Sequence, residues 1–391
     1  MAKGMAAAMV LCGSMALGAG AAAAPRVAVD IGPAHAVAAR VMAGVGAPGL
    51  LMRPGASPHG YAMRPSEARA LQSAQLVIWV GPSLTPWLED AVETLGGDAA
   101  QLRLSDVPGA ARLPVRTGAA FPAHAHGEEH DDEGHEDHAH DDHSHDDHAH
   151  DAGHGDHDEH GKHADHADDD HADANQVGHA GEGHDGRAAH EEHGAHVAHA
   201  AHDHAAQDDH DDHGHAALGF DPHMWLDPMN AAAWAEAMAE ALAEADPANA
   251  AAYHANAAGA RAEYVALAAE VAETLAPVRG RSYLVFHDAY QYFESRFDMP
   301  AAGAVSVSEA TSPGAARVAE AREVVRTSGA VCVFSEPQFE PALVATVIEG
   351  SDARAGVLDP IGAQLEPGAG MYPALIRRLA AGMVDCLSAA M

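Results

Sequence analysis

Short runs of apolar residues alternate with amphipathic stretches in two separate parts of the chain. In the first part this pattern predicts strands at 26–31, 75–80 and 101–104, and helices at 35–42, 65–72 and 86–94. The second part repeats it, with strands at 282–286, 303–307, 330–334 and 355–358, and helices at 290–297, 314–327, 341–349 and 372–387. Continuous apolar strands separated by helices are typical of parallel sheets covered on both faces. The pattern therefore predicts an α/β protein with two similar lobes, each a mostly parallel sheet flanked by helices.

A long helical pattern lies between these lobes, at residues 230–275. Asp246 and Pro247 have the order of a helix N-cap and a first-turn proline, so the pattern splits there. The second helix would be about 43 Å long at 1.5 Å per residue. It could join the two lobes, although a surface helix of one lobe would show the same pattern. We expect an N-terminal lobe at 25–123 that is completed by 216–246, a connecting helix at 247–276 and a C-terminal lobe at 277–391.

The first 24 residues have the pattern of an export signal. Lys3 is followed by an apolar, alanine-rich stretch, and Ala22, Ala23 and Ala24 offer cleavage positions before Pro25. An uncleaved membrane anchor is the alternative. Cys12 is preceded by leucine rather than by the small residue that lipid attachment requires, so we expect a soluble exported protein with no lipid anchor.

The stretch at 124–215 differs from the rest of the chain in composition. It holds 27 of the 32 histidines and 29 of the 58 acidic residues, with only Lys162 and Arg187 as bases. The formal net charge of −37 excludes nucleic-acid binding through a basic surface. With so few apolar residues we expect a disordered insert. Imidazoles beside carboxylates favour additional weak metal sites there, since neutral imidazole binds zinc, copper and nickel; a solvated spacer is the alternative.

Five histidines lie outside the insert: His35, His59, His223, His254 and His287. His59 lies in a turn-rich loop, His223 lies between the insert and the next helix, and His287 ends a predicted strand. Asp359 follows another predicted strand. Ligands in open α/β sheets bind at the carboxyl ends of strands. Three histidines and one carboxylate from four loops would satisfy a tetrahedral zinc ion, whereas His35 is expected to be structural or to support the site, and His254 to be a surface residue.

Two cysteines, Cys332 and Cys386, remain after removal of the signal. Cys332 lies in an apolar strand pattern and Cys386 near the end of the last helix. In an oxidising compartment they can form a disulfide, and two buried free thiols are the alternative.

Several motifs occur in an order that resembles the metal-binding solute-binding proteins of ABC importers. They cover nearly all of the chain after the signal: Gly55-Ala-Ser-Pro-His59, Arg64-Pro-Ser-Glu67, Leu76-Val-Ile-Trp-Val-Gly-Pro82, Asp221-Pro-His-Met-Trp-Leu-Asp-Pro228, Phe286-His-Asp-Ala-Tyr290 and Phe334-Ser-Glu-Pro-Gln-Phe339. Within that family the chain is similar to the zinc-uptake, ZnuA-type branch. That branch typically has a His- and acid-rich insert at this place and a cysteine pair like Cys332 and Cys386.

The resemblance implies a metal site in a cleft between two lobes, with His59, His223 and His287 at the family's ligand positions. Three imidazoles favour zinc over the harder manganese ion. Pro58 stands where some zinc-type members have a glutamate, so the fourth ligand is either Asp359 or water. We expect Asp227 and Asp288 to orient imidazoles.

The sequence thus predicts a periplasmic receptor, not an enzyme, that captures Zn²⁺ and delivers it to an inner-membrane zinc ABC permease. We expect a monomer, and another periplasmic zinc-binding protein is a conceivable second partner. The alternatives are a periplasmic zinc buffer without a permease and a zinc enzyme with three histidines and a water. The sequence contains no His-Glu-x-x-His helix and no obvious general base to support the enzyme.

Overall fold

The computed structural model describes residues 23–121, 219–306, 313–339 and 341–388. The predicted insert at 124–215, all but the last two residues of the predicted signal, and Cys12 lie outside these ranges.

The first sheet has four parallel strands in the order β2-β1-β3-β4. Its strands are β1 (Val27–Val29), β2 (Gly49–Leu50), β3 (Leu76–Trp79) and β4 (Ala100–Arg103). The helices between them are α1 (Gly32–Val41), α2 (Pro65–Ser73) and α3 (Pro86–Leu95). Each of these helices has proline in its first two positions, where a missing N–H costs no hydrogen bond.

The second sheet repeats this topology, with four parallel strands in the order β6-β5-β7-β8. Its strands are β5 (Tyr283–His287), β6 (Gly303–Ser306), β7 (Cys332–Ser335) and β8 (Arg354–Val357). Its helices are α6 (Gln291–Phe297), α7 (Ala315–Ser328), α8 (Pro341–Ile348) and α9 (Met371–Ser388). The predicted fold of two parallel-sheet lobes is confirmed, and only the two-residue strand β2 was not predicted.

Two helices connect the sheets, α4 (Pro228–Ala245) and α5 (Ala250–Leu275). Asp227 caps α4 by accepting a hydrogen bond from the Met229 backbone N–H at 2.8 Å. A 3₁₀ turn at Pro247–Asn249 separates α4 from the 26 residues of α5. The long helix is therefore confirmed, although its α-helical part begins three residues after Pro247. The predicted domain boundaries stay a prediction.

The long helix α5 contacts elements of both lobes. Glu263 pairs with Arg40 of α1 at 3.1 Å, and Glu270 pairs with Arg377 of α9 at 2.7 Å. One continuous hydrophobic cluster also contains buried residues of α1, α4, α5 and α9 together with residues of both sheets. Burial of apolar surface along α5 thus holds both lobes against one helix.

Cys332 of β7 and Cys386 of α9 form a disulfide, which confirms the predicted pairing. It attaches the last helix to the second sheet across a sequence separation of 54 residues. In the described part of the chain, every helix is too short or too polar to cross a bilayer.

Candidate metal centre

Three histidines from distant parts of the chain lie side by side. Nε2 of His223 is 3.2 Å from Nε2 of His59 and 3.4 Å from Nε2 of His287. One ring nitrogen from each residue lies within 4.8 Å of the other two. His223 and His287 are buried, and His59 is half-buried. The structure therefore brings together the three histidines that the sequence singled out.

Each histidine is placed by a different local element. His59 lies in the loop between β2 and α2, His223 precedes a 3₁₀ turn (Met224–Leu226) that leads into α4, and His287 is the last residue of β5. The strand position of His287 is fixed by parallel pairing with Ser306 of β6.

Two of the three imidazoles are held by buried carboxylates on their far side. Nδ1 of His223 is 2.7 Å from Oδ1 of Asp221, and Nδ1 of His287 is 2.5 Å from Oε1 of Glu336. A carboxylate at Nδ1 favours the tautomer in which that nitrogen carries the proton. The lone pair of Nε2 then faces the centre of the cluster, which is the arrangement that metal-binding histidines require.

His59 is positioned by its loop. The indole N–H of Trp87 donates to the carbonyl of the preceding Pro58 at 2.8 Å, and the His59 backbone N–H donates to Oγ of Ser57 at 3.3 Å. Tyr61 follows and donates to Oε1 of Glu67 on α2 at 2.7 Å. These contacts attach both sides of the His59 loop to the first lobe.

Negative charge surrounds the buried side of the cluster. Burial raises the pKa of Asp221 to about 7, although the hydrogen bond from the His223 backbone and the charge of Arg116 lower it. A cation held by the His223 ring would favour the charged form of this carboxylate, because an opposite charge nearby lowers an acid's pKa. Asp221 and Glu336 thus provide negative charge behind the imidazoles without entering the cluster.

The expectation that Asp227 and Asp288 orient imidazoles was wrong. Asp227 caps α4 and pairs with Arg296 at 2.7 Å, and Asp288 pairs with Arg116. Asp221 and Glu336 take that part instead. Asp221 could have been found from its place two residues before His223. Glu336 lies 49 residues from His287, and no spacing in the sequence pointed to it.

The remaining candidates lie outside the cluster. Oδ1 of Asp359 accepts hydrogen bonds from the backbone N–H groups of Gly362 at 2.8 Å and Ile361 at 3.3 Å, and this residue is not a member of the histidine group. Nε2 of His35 lies 3.1 Å from the Pro48 carbonyl, a structural contact. His254 is exposed on α5.

Three imidazole nitrogens that converge on one point, with carboxylates behind two of them, suit a divalent ion of zinc's ligand preference. Two parallel-sheet lobes held on one long helix, with such a cluster, define the class of metal-binding solute-binding proteins.

Comparison with known proteins identifies the family. The model of the ZnuA family, described as zinc-uptake complex component A, periplasmic, matches residues 27–386. The high-affinity zinc uptake system protein ZnuA of Brucella suis is 40% identical over 362 residues, which are 93% of this chain and 91% of that protein. Its counterpart in Paracoccus denitrificans is 39% identical over 366 residues, 93% of this chain and 92% of the relative. The chain belongs to the ZnuA family of zinc-uptake binding proteins, and it is a receptor rather than an enzyme.

Solved structures share the fold. The periplasmic zinc-binding protein TroA from Treponema pallidum has a TM-score of 0.62 at 16% identity, covering 93% of this chain and 99% of TroA. A zinc-bound ZnuA deletion mutant has a TM-score of 0.60 at 16% identity, with 93% and 98% coverage.

Proposed function

We propose that this chain is a periplasmic receptor that captures Zn²⁺ in the cleft between its two lobes and delivers it to an inner-membrane ABC permease. The ligands are His59, His223 and His287. The observation that carries the proposal is the convergence of three Nε2 atoms, two of them on rings whose Nδ1 faces a buried carboxylate. Family membership supports zinc as the cargo.

The chemistry of the ligands also favours zinc. Three neutral imidazoles suit the borderline-soft Zn²⁺, whereas Mn²⁺ prefers oxygen ligands. The half-buried ring of His59 lies on the accessible side of the cluster, so ion entry and release occur there. Capture then requires movement of the His59 loop alone, while α5 keeps its contacts with both lobes.

Water is the fourth ligand in this proposal. Asp359 already accepts two backbone hydrogen bonds through Oδ1, and moving its carboxylate to the ion would break that turn. We expect Asp359→Ala to change zinc affinity by less than about threefold. A loss of about 100-fold or more in a folded Asp359→Ala variant would instead make this carboxylate a ligand.

The His-rich insert at 124–215 supplies additional weak zinc sites in this proposal. Its histidines lack a fixed geometry, so their affinity is lower than that of the cleft and they act as a collector. The collector role requires that removal of 124–215 lowers the number of zinc ions bound. An unchanged stoichiometry would contradict it.

Growth under zinc limitation tests transport directly. A strain without its own copy of this protein should grow in chelator-treated medium when it carries the parent chain, and should fail with His59→Ala at equal protein level. Arg26→Ala, an exposed change distant from the cluster, is the control. If growth depended on the protein only under zinc excess, the chain would be a buffer rather than a transport receptor.

A further inference from the structure

The segment 113–121, here called the strap, runs from the first half of the chain onto the second sheet. The Phe121 N–H donates to the Ala302 carbonyl at 2.9 Å, and the Ala304 N–H donates to the Ala119 carbonyl at 3.1 Å. Ala120 and Gly303 form an antiparallel bridge. The strap therefore adds an antiparallel edge to β6, the outer strand of the second sheet.

Gly303 makes this close approach feasible. A Cβ atom at position 303 would lie 1.9 Å from the Ala119 carbonyl oxygen, far inside van der Waals contact. Any larger residue must displace the strap from β6.

The strap carries a buried arginine, Arg116. Its Nε is 3.1 Å from both carboxylate oxygens of Asp288, and Nη2 also contacts Asp288. Nη1 and Nη2 reach the two oxygens of Glu294 at 2.7 and 3.0 Å. The ring of Phe121 covers the guanidinium, with 3.8 Å between Cζ and the ring centre. The Arg116 side chain is 10% exposed, that of Asp288 9% and that of Glu294 0%.

These two acids flank the loop that leaves the metal cluster. Asp288 directly follows His287, and Glu294 lies on α6, where it also accepts from the Ala301 N–H at 3.1 Å. Arg116 thus clamps both ends of the connection between β5 and α6. Burial opposes the charge of Arg116, but the hydrogen bonds and Coulomb attraction of Glu294 and Asp288 outweigh this and raise its pKa. The arginine remains charged and the clamp is complete.

We propose that Arg116 is a positioning residue of the metal centre: by holding Asp288 and Glu294 together it fixes the backbone at His287 and so sets the zinc affinity. The inference rests on the proposed zinc site. It assigns to the strap, about 170 residues earlier in the chain, control over a ligand in the second lobe. The planar fork of arginine matters, because a lysine ammonium cannot hold two carboxylates in this geometry.

A double-mutant cycle on the full chain tests this proposal. Zinc affinity is measured by competition with a chromophoric chelator for the parent, Arg116→Gln, Asp288→Asn and the double variant. Outer-shell partners of metal ligands typically contribute 10- to 100-fold in affinity. We expect about tenfold weaker binding in each single variant, and no further loss in the double variant, because both changes release the same clamp. Losses that multiply in the double variant, or single variants within twofold of the parent, would overturn the proposal.

Two further variants separate positioning from charge and from general stability. Arg116→Lys keeps the charge and should stay weak; restoration of parent affinity would overturn a positioning role. Arg317→Gln is the matched control, because Arg317 donates to the Gly118 carbonyl of the same strap at 2.8 Å without touching Asp288. It should keep parent affinity, and equal weakening would mean that any loosening of the strap suffices.

Visible absorption of the Co²⁺-loaded protein adds a readout that stability alone does not move. The ligand-field bands should change in Arg116→Gln and stay unchanged in Arg317→Gln. If His59→Ala also left zinc binding intact, the proposed site itself would fail. A parent-like Arg116→Gln beside a defective His59→Ala would refute only the present inference.

Discussion

At the scale of single residues, the cluster is built from histidines held in two different ways. Asp221 and Glu336 fix the rings of His223 and His287 from behind, whereas His59 depends on backbone contacts such as that of Trp87 with Pro58. A ring that is hydrogen-bonded at Nδ1 loses little rotational freedom when it binds a metal. The two buried histidines therefore form a preorganised pair, which the half-buried His59 completes.

This asymmetry predicts the effect of Glu336→Gln. The amide keeps the shape of the side chain but removes the negative charge that holds the His287 ring, so we expect zinc affinity to fall about 10- to 100-fold. Calorimetric titration measures the change. Glu349→Gln, which alters an exposed glutamate, is the control and should bind like the parent. Parent-like affinity in a folded Glu336→Gln variant would contradict the assigned role.

His35 predicts a pH dependence of stability. Burial lowers the pKa of His35 below 6.5, although its contact with the Pro48 carbonyl raises it. Below pH 6.5 the unfolded chain therefore binds a proton that the folded chain does not, so stability is present above that pH and decreases as the pH falls through it. One such proton changes the free energy of unfolding by at most about 1.4 kcal/mol per pH unit.

Urea unfolding of the zinc-free protein between pH 7.5 and 5.5 measures this dependence. The loss of stability should be smaller in His35→Gln than in the parent, while His254→Gln, on the exposed face of α5, is the control. An equal loss in His35→Gln and the parent would show that His35 does not contribute.

The sequence could predict the histidines but only part of their surroundings. His287 ends a continuous apolar strand and His59 lies in a loop next to a strand, positions where parallel sheets place ligands. Glu336 and Arg116 become neighbours of the site only through tertiary packing, since β7 lies beside β5 and the strap crosses to the second sheet. No local pattern encodes either contact.

At the scale of elements, parallel topology explains why the strands were predictable. Each strand is buried on both faces and reads as an apolar run, as in Leu76–Trp79. The exceptions are β2, which has only two residues, and the strap, which pairs through backbone groups near a glycine. Neither leaves a hydrophobic period in the sequence, so neither could be found there.

The disulfide between β7 and α9 gives a prediction at this scale. Replacing Cys332 and Cys386 by alanine should lower the free energy of unfolding by about 2–4 kcal/mol, because the cross-link restricts the unfolded chain. Zinc affinity should stay within about twofold of the parent. Denaturant unfolding of the parent and the double variant measures the loss, and a change below about 0.5 kcal/mol would contradict a stabilising role.

At the scale of the whole molecule, two lobes and one long helix present three histidines to a single ion. Glu263 and Glu270 on α5 pair with arginines of opposite lobes, so the spacing of the lobes depends on one continuous helix. The formal charge of −37 is concentrated in the insert, which gives the chain an acidic, histidine-rich region apart from the folded lobes. Capture in the cleft and collection by the insert are thus separable functions.

Calorimetric zinc titration tests the central claim most directly. The protein without residues 1–24 is titrated with and without residues 124–215, beside its His59→Ala variant. We expect one tight site that survives removal of the insert and weakens at least about 100-fold in His59→Ala, more than the loss of an outer-shell partner causes. If tight binding disappeared with the insert and was unaffected by His59→Ala, the three-histidine cluster would not be the receptor site.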